Sequence, residues 1–267
     1  MHYVSLCSIA KNEDRYIEEW LCFHRAVGVQ HFFIYDNDSV KSLKELLDGH
    51  SDVTVTDLPG NCRQLDAYND CQSNHGSSSQ WIGMVDIDEF LVPHKTDNLA
   101  AFLAGYEQFG GLAVNWQTFG PNGHQTRPTG LVIENYTTKA RSWASVNKHI
   151  KTIAQSRKVA CWGHVHYPIY RDGHVSVNEN CRPVADTPFA RVRIEKIQLN
   201  HYWTRSYQDW HEKMRRGRAD IGQYDEKTAK KLTGFARSSK SEDRSACRFA
   251  PAVKRLMDAG KSIIHAG

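Results

Sequence analysis

No stretch of this 267-residue chain approaches the ~18 consecutive apolar residues that a membrane-spanning helix needs, so a transmembrane protein is not expected. No GxxxxGK[ST] occurs, which excludes a P-loop nucleotide site. There is no CxxC pair among the seven cysteines, which stand at 7, 22, 62, 71, 161, 181 and 247. Their number is odd and several lie inside apolar runs, where a thiol behaves as a small hydrophobe. A reducing cytoplasm is the expected setting. No basic leader precedes the strand-like run that begins at Tyr3, so a secretory signal is not expected. Internal repeats and low-complexity tracts are also missing.

What is present is the composition of a globular protein, with 40% hydrophobic and 24% charged residues. Seven tryptophans and eleven tyrosines supply flat apolar surfaces, used by cores and by sugar-binding sites alike. The net charge of +4 is unevenly placed: residues 205–261 carry 15 Lys and Arg against 8 Asp and Glu, leaving −3 for the rest. Such a basic segment suits a phosphate, a nucleic acid or a membrane surface, or is a solvated helical face.

Hydrophobic periodicity predicts alternating strands and helices in the first third. Residues 3–9, 31–35, 53–55 and 81–85 read as strands. A helix is expected over 16–27, ended by Gly28, with further helices at 43–47 and from 65. This alternation predicts an α/β fold with a mainly parallel central sheet flanked by helices. Residues 112–116 and 192–199 read as strands, and 119–129 as a covering loop. The elements at 131–136 and 150–153 are of undetermined type. Residues 206–216 read as a basic helix stopped by Gly217.

Ligands in parallel sheets bind beyond the C-terminal strand ends, and Asp36/Asp38, Asp57 and Asp86/Asp88 all fall there. Carboxylates gathered in one crevice repel unless a cation or donor group compensates. If the fourth strand continued through residues 86–88, Asp86 and Asp88 would share one face. Such a pair suits Mn2+ or Mg2+, which take oxygen ligands and share them with substrate phosphates. Glu89 would then point away. Cys161, His164 and His166 have the spacing to begin a zinc site, but no fourth ligand is evident nearby. A packing role, or a place near the acceptor, is the preferred reading of these two histidines.

Several ordered blocks resemble glycosyltransferase family 92 and its bacterial relatives: SIAKNE (8–13), HFFIYDNDS (31–39), QLDAYNDC (64–71), WIGMVDIDEFL (81–91), NWQTFGPNG (115–123) and NHYWTRSYQDWHEKMRRGRAD (200–220). The resemblance implies a GT-A fold of the family 2-like type over residues 1–220, followed by a basic helical extension at 221–267. It implies transfer of a sugar from a nucleotide-sugar, UDP first, to a hydroxyl of a glycan or glycolipid acceptor. Asp86 and Asp88 match the DxD motif, and His201 matches the late histidine that completes its metal site. Ala10, Lys11, Asn12, Glu13, Asp36 and Asp38 match the nucleotide pocket, joined by Gln64 and Asp66.

Lys213 and Arg216, three apart on one helical face, are expected to neutralise the diphosphate, with Arg205, Arg215 and Arg218 as substitutes. Glu89 and Glu134 are the candidates for the carboxylate base of an inverting course. The adjacent Glu-Asp pair common in inverting GT-A enzymes is missing, so base and stereochemistry stay open. The expected location is the cytoplasm, with peripheral contact to the inner membrane face, and no nucleic acid as partner. Two rival readings remain: a metal-dependent phosphoryl or nucleotidyl transferase, disfavoured by Glu89-Phe90 after the DxD, and a non-enzymatic nucleic-acid binder using Tyr202, Trp203, Tyr207 and Trp210.

Overall fold

The computed structural model describes residues 1–217 and 241–264. The first half runs β1 (His2–Ala10), α1 (Ile17–Ala26), β2 (His31–Asp36), α2 (Leu43–Leu46), β3 (Val53–Asp57), α3 (Gln64–His75), β4 (Ser79–Met84), β5 (Glu89–Pro93), α4 (Leu99–Leu103) and β6 (Gly111–Thr118). It continues through α5 (Val132–Asn135), β7 (Thr138–Lys139), β8 (Ile150–Gln155), β9 (Val159–His164), β10 (Tyr167–Tyr170), β11 (Ser176–Val177) and β12 (Ile197–His201). It closes with α6 (Tyr207–Arg216), β13 (Ser241–Glu242) and α7 (Ala250–Ile264).

The central sheet has the order β3-β2-β1-β4-β8-β6-β12-β5, with β11 beside β6. β3, β2, β1 and β4 are parallel. β8 runs antiparallel to both β4 and β6, β12 parallel to β6, and β5 antiparallel to β12. The fold is thus mixed α/β, with its parallel pairs among the first four strands and where β12 and the short β11 flank β6. One consequence positions the site. β1, β2, β4, β6 and β12 all run the same way, so their C-termini emerge at one sheet edge. The antiparallel β8 and β5 begin at that same edge, with Ile150-Lys151 and Glu89.

Both sheet faces are covered. On one, α1 lays Ile17, Trp20, Leu21 and Phe23 into a cluster with Phe32, Phe90 and Phe249 of η-turn 245–249 ahead of α7. On the other, α3 and β9 bring Tyr68, Cys71 and Trp162 onto Cys7, Phe33 and Met84. α1 ends where the periodicity predicts: Gly28 has φ +91, and a Cβ there would stand 2.8 Å from the Asn98 amide. That left-handed backbone favours glycine.

Two expected strands are displaced. The strand expected at 192–199 occupies Ile197–His201. The buried Glu179 carboxylate accepts the amides of Glu195, Lys196 and Ile197, which holds residues 195–196 off the ladder. The fourth strand stops at Met84. Asp86-Ile87-Asp88 is therefore a turn between β4 and β5, closed by the Glu89 amide on the Asp86 carbonyl. The 220/221 boundary and Arg218 lie outside the described residues.

Candidate active site at the C-terminal edge of the sheet

The turn at residues 86–88 hangs between two counter-charges. From beneath, Oδ1 of Asp86 accepts three donors: Gln64 Nε2 at 2.7 Å, Tyr68 OH at 3.2 Å and Lys151 Nζ at 3.2 Å. Lys151 is 2% exposed, and its ammonium also lies 3.8 Å from Glu89 Oε2. Burial works to lower its pKa, yet the Asp86 and Glu89 carboxylates override this and hold it well above the usual lysine value. From above, Lys213 Nζ meets Asp88 Oδ2 at 2.5 Å, and His201 Nε2 stands 3.6 Å from Asp88 Oδ1. Burial pushes the Asp88 pKa up, but Lys213 and His201 hold it well below the carboxylate range. Burial lowers the His201 pKa against the pull of Asp88, and its Nδ1 is buried without a hydrogen-bond partner.

Beside Asp88 opens a cleft of about 400 Å3, with Asn12, Glu13 and Tyr16 on one wall and Trp203, Arg205, Lys213 and Arg216 on another. α6 forms that second wall for local reasons. Ser206 and Asp209 make a reciprocal capping box at its start, and Gly217, at φ +87, ends it. Two of its basic residues, Lys213 and Arg216, are already paired with acids of the site. Arg216 NH1 reaches Glu13 Oε1 at 3.0 Å and also donates to the Lys11 carbonyl. Arg205, buried and at φ +47, donates to Glu13 Oε2 at 2.7 Å and to the Ile87 carbonyl at 3.3 Å. Its guanidinium lies 3.7 Å over the Tyr16 ring.

A third wall comes from the loop between β6 and α5. Arg127 pairs with Asp209 and Glu212, and the Tyr16 hydroxyl donates to Asp209 at 2.7 Å. Tyr207 and Gln208 amides donate to the His124 and Gln125 carbonyls. The expected covering loop is thus stitched to the first turn of α6.

Several candidates from the sequence therefore meet here: Asn12, Glu13, Lys213 and Arg216 with Asp88 in the cleft, and His201 against Asp88. Others do not line it. Asp36 spends both oxygens on the Ser39 and Leu43 amides, and Asp38 accepts the Gly60 amide. Lys11 is 3.9 Å from Asp38, and the Ala10 carbonyl accepts the Asn37 amide. These residues fasten the loops after β1 and β2 to each other. Gln64 acts on Asp86, while the exposed Asp66 pairs with Arg63.

Neither candidate base is placed for that work. Glu134 sits on α5 in a surface pair with Lys254 of α7, 2.8 Å away. Glu89 is wholly buried beneath the DxD turn, where its Oε2 accepts the Asp86 amide at 2.8 Å. Burial raises its pKa well above the carboxylate range, with Lys151 opposing. Glu89 does not simply point away from Asp88; it becomes the floor of the turn. Cys161, His164 and His166 lie on the β9–β10 hairpin, with His166 Nδ1 2.6 Å from the Ile150 carbonyl. Among the described residues no group of three or more His, Cys, Asp or Glu is placed to hold a metal by itself.

Sequence reasoning missed Lys151, Arg127 and the packing of Trp116, stacked on His149 and tilted against His201. One signal was available for Lys151: it is the single charge in β8, between Ile150 and Thr152. Arg127, in a polar loop, carried none.

The acid-and-base cleft thus lies at the strand ends of a mixed α/β sheet, the edge where such sheets bind ligands. The family model for glycosyltransferase family 92 matches residues 1–234, and the chain belongs to that family. A glycosyltransferase family 92 protein of Oryza sativa subsp. japonica is 31% identical over 145 residues, covering 52% of this chain and 25% of the relative. One from Arabidopsis thaliana is 23% identical over 238 residues, covering 82% of this chain and 41% of the relative. The chain thus spans between a quarter and two-fifths of these relatives' length. Among solved structures, HddC from Yersinia pseudotuberculosis overlaps loosely, with a TM-score of 0.38 at 8% identity, covering 67% of this chain and 89% of that one.

Proposed function

We propose that the chain transfers a sugar from a nucleoside-diphosphate donor, a UDP-sugar first, to a hydroxyl of a glycan or glycolipid acceptor. The observation that carries this reading is the contact of Asp88 with both Lys213 and His201 beside a cleft lined by Arg205 and Arg216, in a family 92 chain. The charges suit a bound diphosphate: Lys213 and Arg216 can exchange their carboxylate partners for phosphate oxygens without leaving the cleft.

The donor set also suits Mn2+ or Mg2+. Asp88 offers a carboxylate held in its charged form, and His201 an imidazole kept neutral by burial, the form that binds metals. Asp88 and His201 would hold the ion, with the donor's own phosphate oxygens completing its ligands. Bound there, it would supply positive charge to the diphosphate. The chain's own residues do the rest. Lys213 and Arg216 stabilise the negative charge that grows on the leaving diphosphate. Arg127, through Asp209 and Glu212, holds the loop over α6 and limits water. A carboxylate base for an inverting course is supplied by neither Glu89 nor Glu134.

The nucleic-acid reading loses two of its four stacking rings, since Tyr202 and Trp210 are buried. No helix among the described residues is long and apolar enough to cross a membrane. A cytoplasmic setting with peripheral membrane contact belongs to the same reading as the glycolipid acceptor. The test is a panel of nucleotide sugars with Mn2+, reading released nucleotide. Release from UDP-sugars above the no-protein rate supports the proposal, and none from any donor contradicts it.

A further inference from the structure

Three acids crowd into four residues at 86–89, and a buried lysine meets two of them from beneath the turn. Lys151 enters from β8, 2% exposed, and places its ammonium 3.2 Å from Asp86 Oδ1, 3.2 Å from the Tyr68 hydroxyl and 3.8 Å from Glu89 Oε2. A buried ammonium is costly and persists only with good partners. All three of its partners belong to one structure, the floor of the acidic turn. Gln64 completes it, donating to Asp86 Oδ1 at 2.7 Å and to the Tyr68 hydroxyl at 2.9 Å. Oδ1 of Asp86 is therefore saturated from beneath, while the side chain stays 31% exposed. The oxygen left for a ligand is Oδ2.

We infer that Lys151 is a positioning residue: it fixes the Asp86 carboxylate in one orientation, with Oδ2 presented to the donor side, before any ligand arrives. The inference rests on the glycosyltransferase reading only for the identity of that ligand. An apolar residue in place of Lys151 would fill the same volume, yet leave Asp86 held by two neutral donors. Preorganised groups lose little on binding, whereas a carboxylate free to rotate must be ordered by the ligand. A merely structural lysine would matter to stability alone.

The test separates these roles with two variants, Lys151→Met and the double variant Lys151→Met/Glu89→Gln. The double variant also replaces the carboxyl that faces Lys151 by an amide, so no buried carboxyl is left without its lysine, and its folding should be closer to wild type than that of the single variant. Crystals of the double variant without ligand should show the Asp86 carboxylate rotated or in several orientations. Calorimetry with UDP and Mn2+ should show affinity at least tenfold weaker than wild type, despite the restored melting temperature. An Asp86 carboxylate unmoved in the crystals overturns the inference, as does unchanged UDP affinity. If wild type itself binds no UDP with Mn2+, the glycosyltransferase reading fails, and the Asp86 orientation alone decides the role of Lys151.

Discussion

Lys213 of α6 and Asp88 of the DxD turn, 125 residues apart in sequence, are in direct contact, Nζ to Oδ2. Lys213 and Arg216 of the basic helix therefore face the acidic site, while Arg215 is exposed. Lys213 neutralises Asp88 here, and in the proposed reaction it turns to the leaving diphosphate. An interaction that strengthens as charge develops acts on the rate more than on ground-state binding. Lys213→Ala should cost about 1.5–3 kcal/mol of transition-state stabilisation, or roughly ten- to a hundredfold in turnover. The measurement is donor turnover at low and high salt. A loss that fades with salt would mark a solvated surface charge instead.

The Arg127 clamp should act differently. Arg127 joins the β6–α5 loop to Asp209 and Glu212, and Asp209 also caps α6 and accepts from Tyr16. Arg127→Ala should lower unfolding free energy by about 1.5–3 kcal/mol, the range of a charge-assisted hydrogen bond. It should also raise KM for the donor more than it lowers kcat, because the loop must be ordered on binding. Denaturant melts and steady-state kinetics check the two effects separately.

Glu19 predicts a pH dependence of stability. It is buried in α1, and its carboxylate accepts the amides of Val132 and Ile133 at the start of α5. Burial raises its pKa to about 7, against the two amides that lower it. The folded state thus binds the Glu19 proton more tightly than the unfolded chain does. The resulting stability is full below the unfolded value near 4.5 and is lost as pH rises through about 7. Wild type should lose roughly 3 kcal/mol relative to Glu19→Gln over that window, with no further change above it. Urea melts of both proteins from pH 5 to pH 8 measure this. A constant difference between them would contradict it.

Glu134 provides a contrasting case. Its only described partner is Lys254, in an exposed pair on the outside of α5. Glu134→Ala should change stability by less than about 0.5 kcal/mol and leave turnover unchanged. A hundredfold loss of turnover would restore it as a base.

The sequence made the parallel half of the sheet legible because apolar strand runs alternate there with an amphipathic helix and clear turn residues, as from Tyr3 to Tyr35. Beyond residue 85 the signals fail for identifiable reasons. Phe90-Leu91-Val92 is an apolar run like any strand, but it follows β4 so closely that no local signal separates it as β5. The shift of β12 to Ile197–His201 depends on the Glu179 carboxylate, 18 residues away from Ile197, which no local pattern encodes. Asp88, His201 and Lys213 were found by motif. Their contact, and the diversion of Asp36 and Asp38 into loop hydrogen bonds, depend on tertiary placement. The left-handed backbone of Arg205, which aims its guanidinium at Glu13, has no signature in the residue type.

The account turns on Asp88 as the point where cation, donor diphosphate and basic helix meet. Asp88→Asn preserves the side-chain shape and a contact for Lys213 while removing the charge. Calorimetric titration of wild type and Asp88→Asn with UDP, each with and without Mn2+, is the most direct test. Wild type should bind UDP with Mn2+ and lose at least tenfold in affinity without it. The variant should fold, and should bind UDP weakly and equally under both conditions. Mn2+-dependent binding of the same strength in Asp88→Asn would contradict the account.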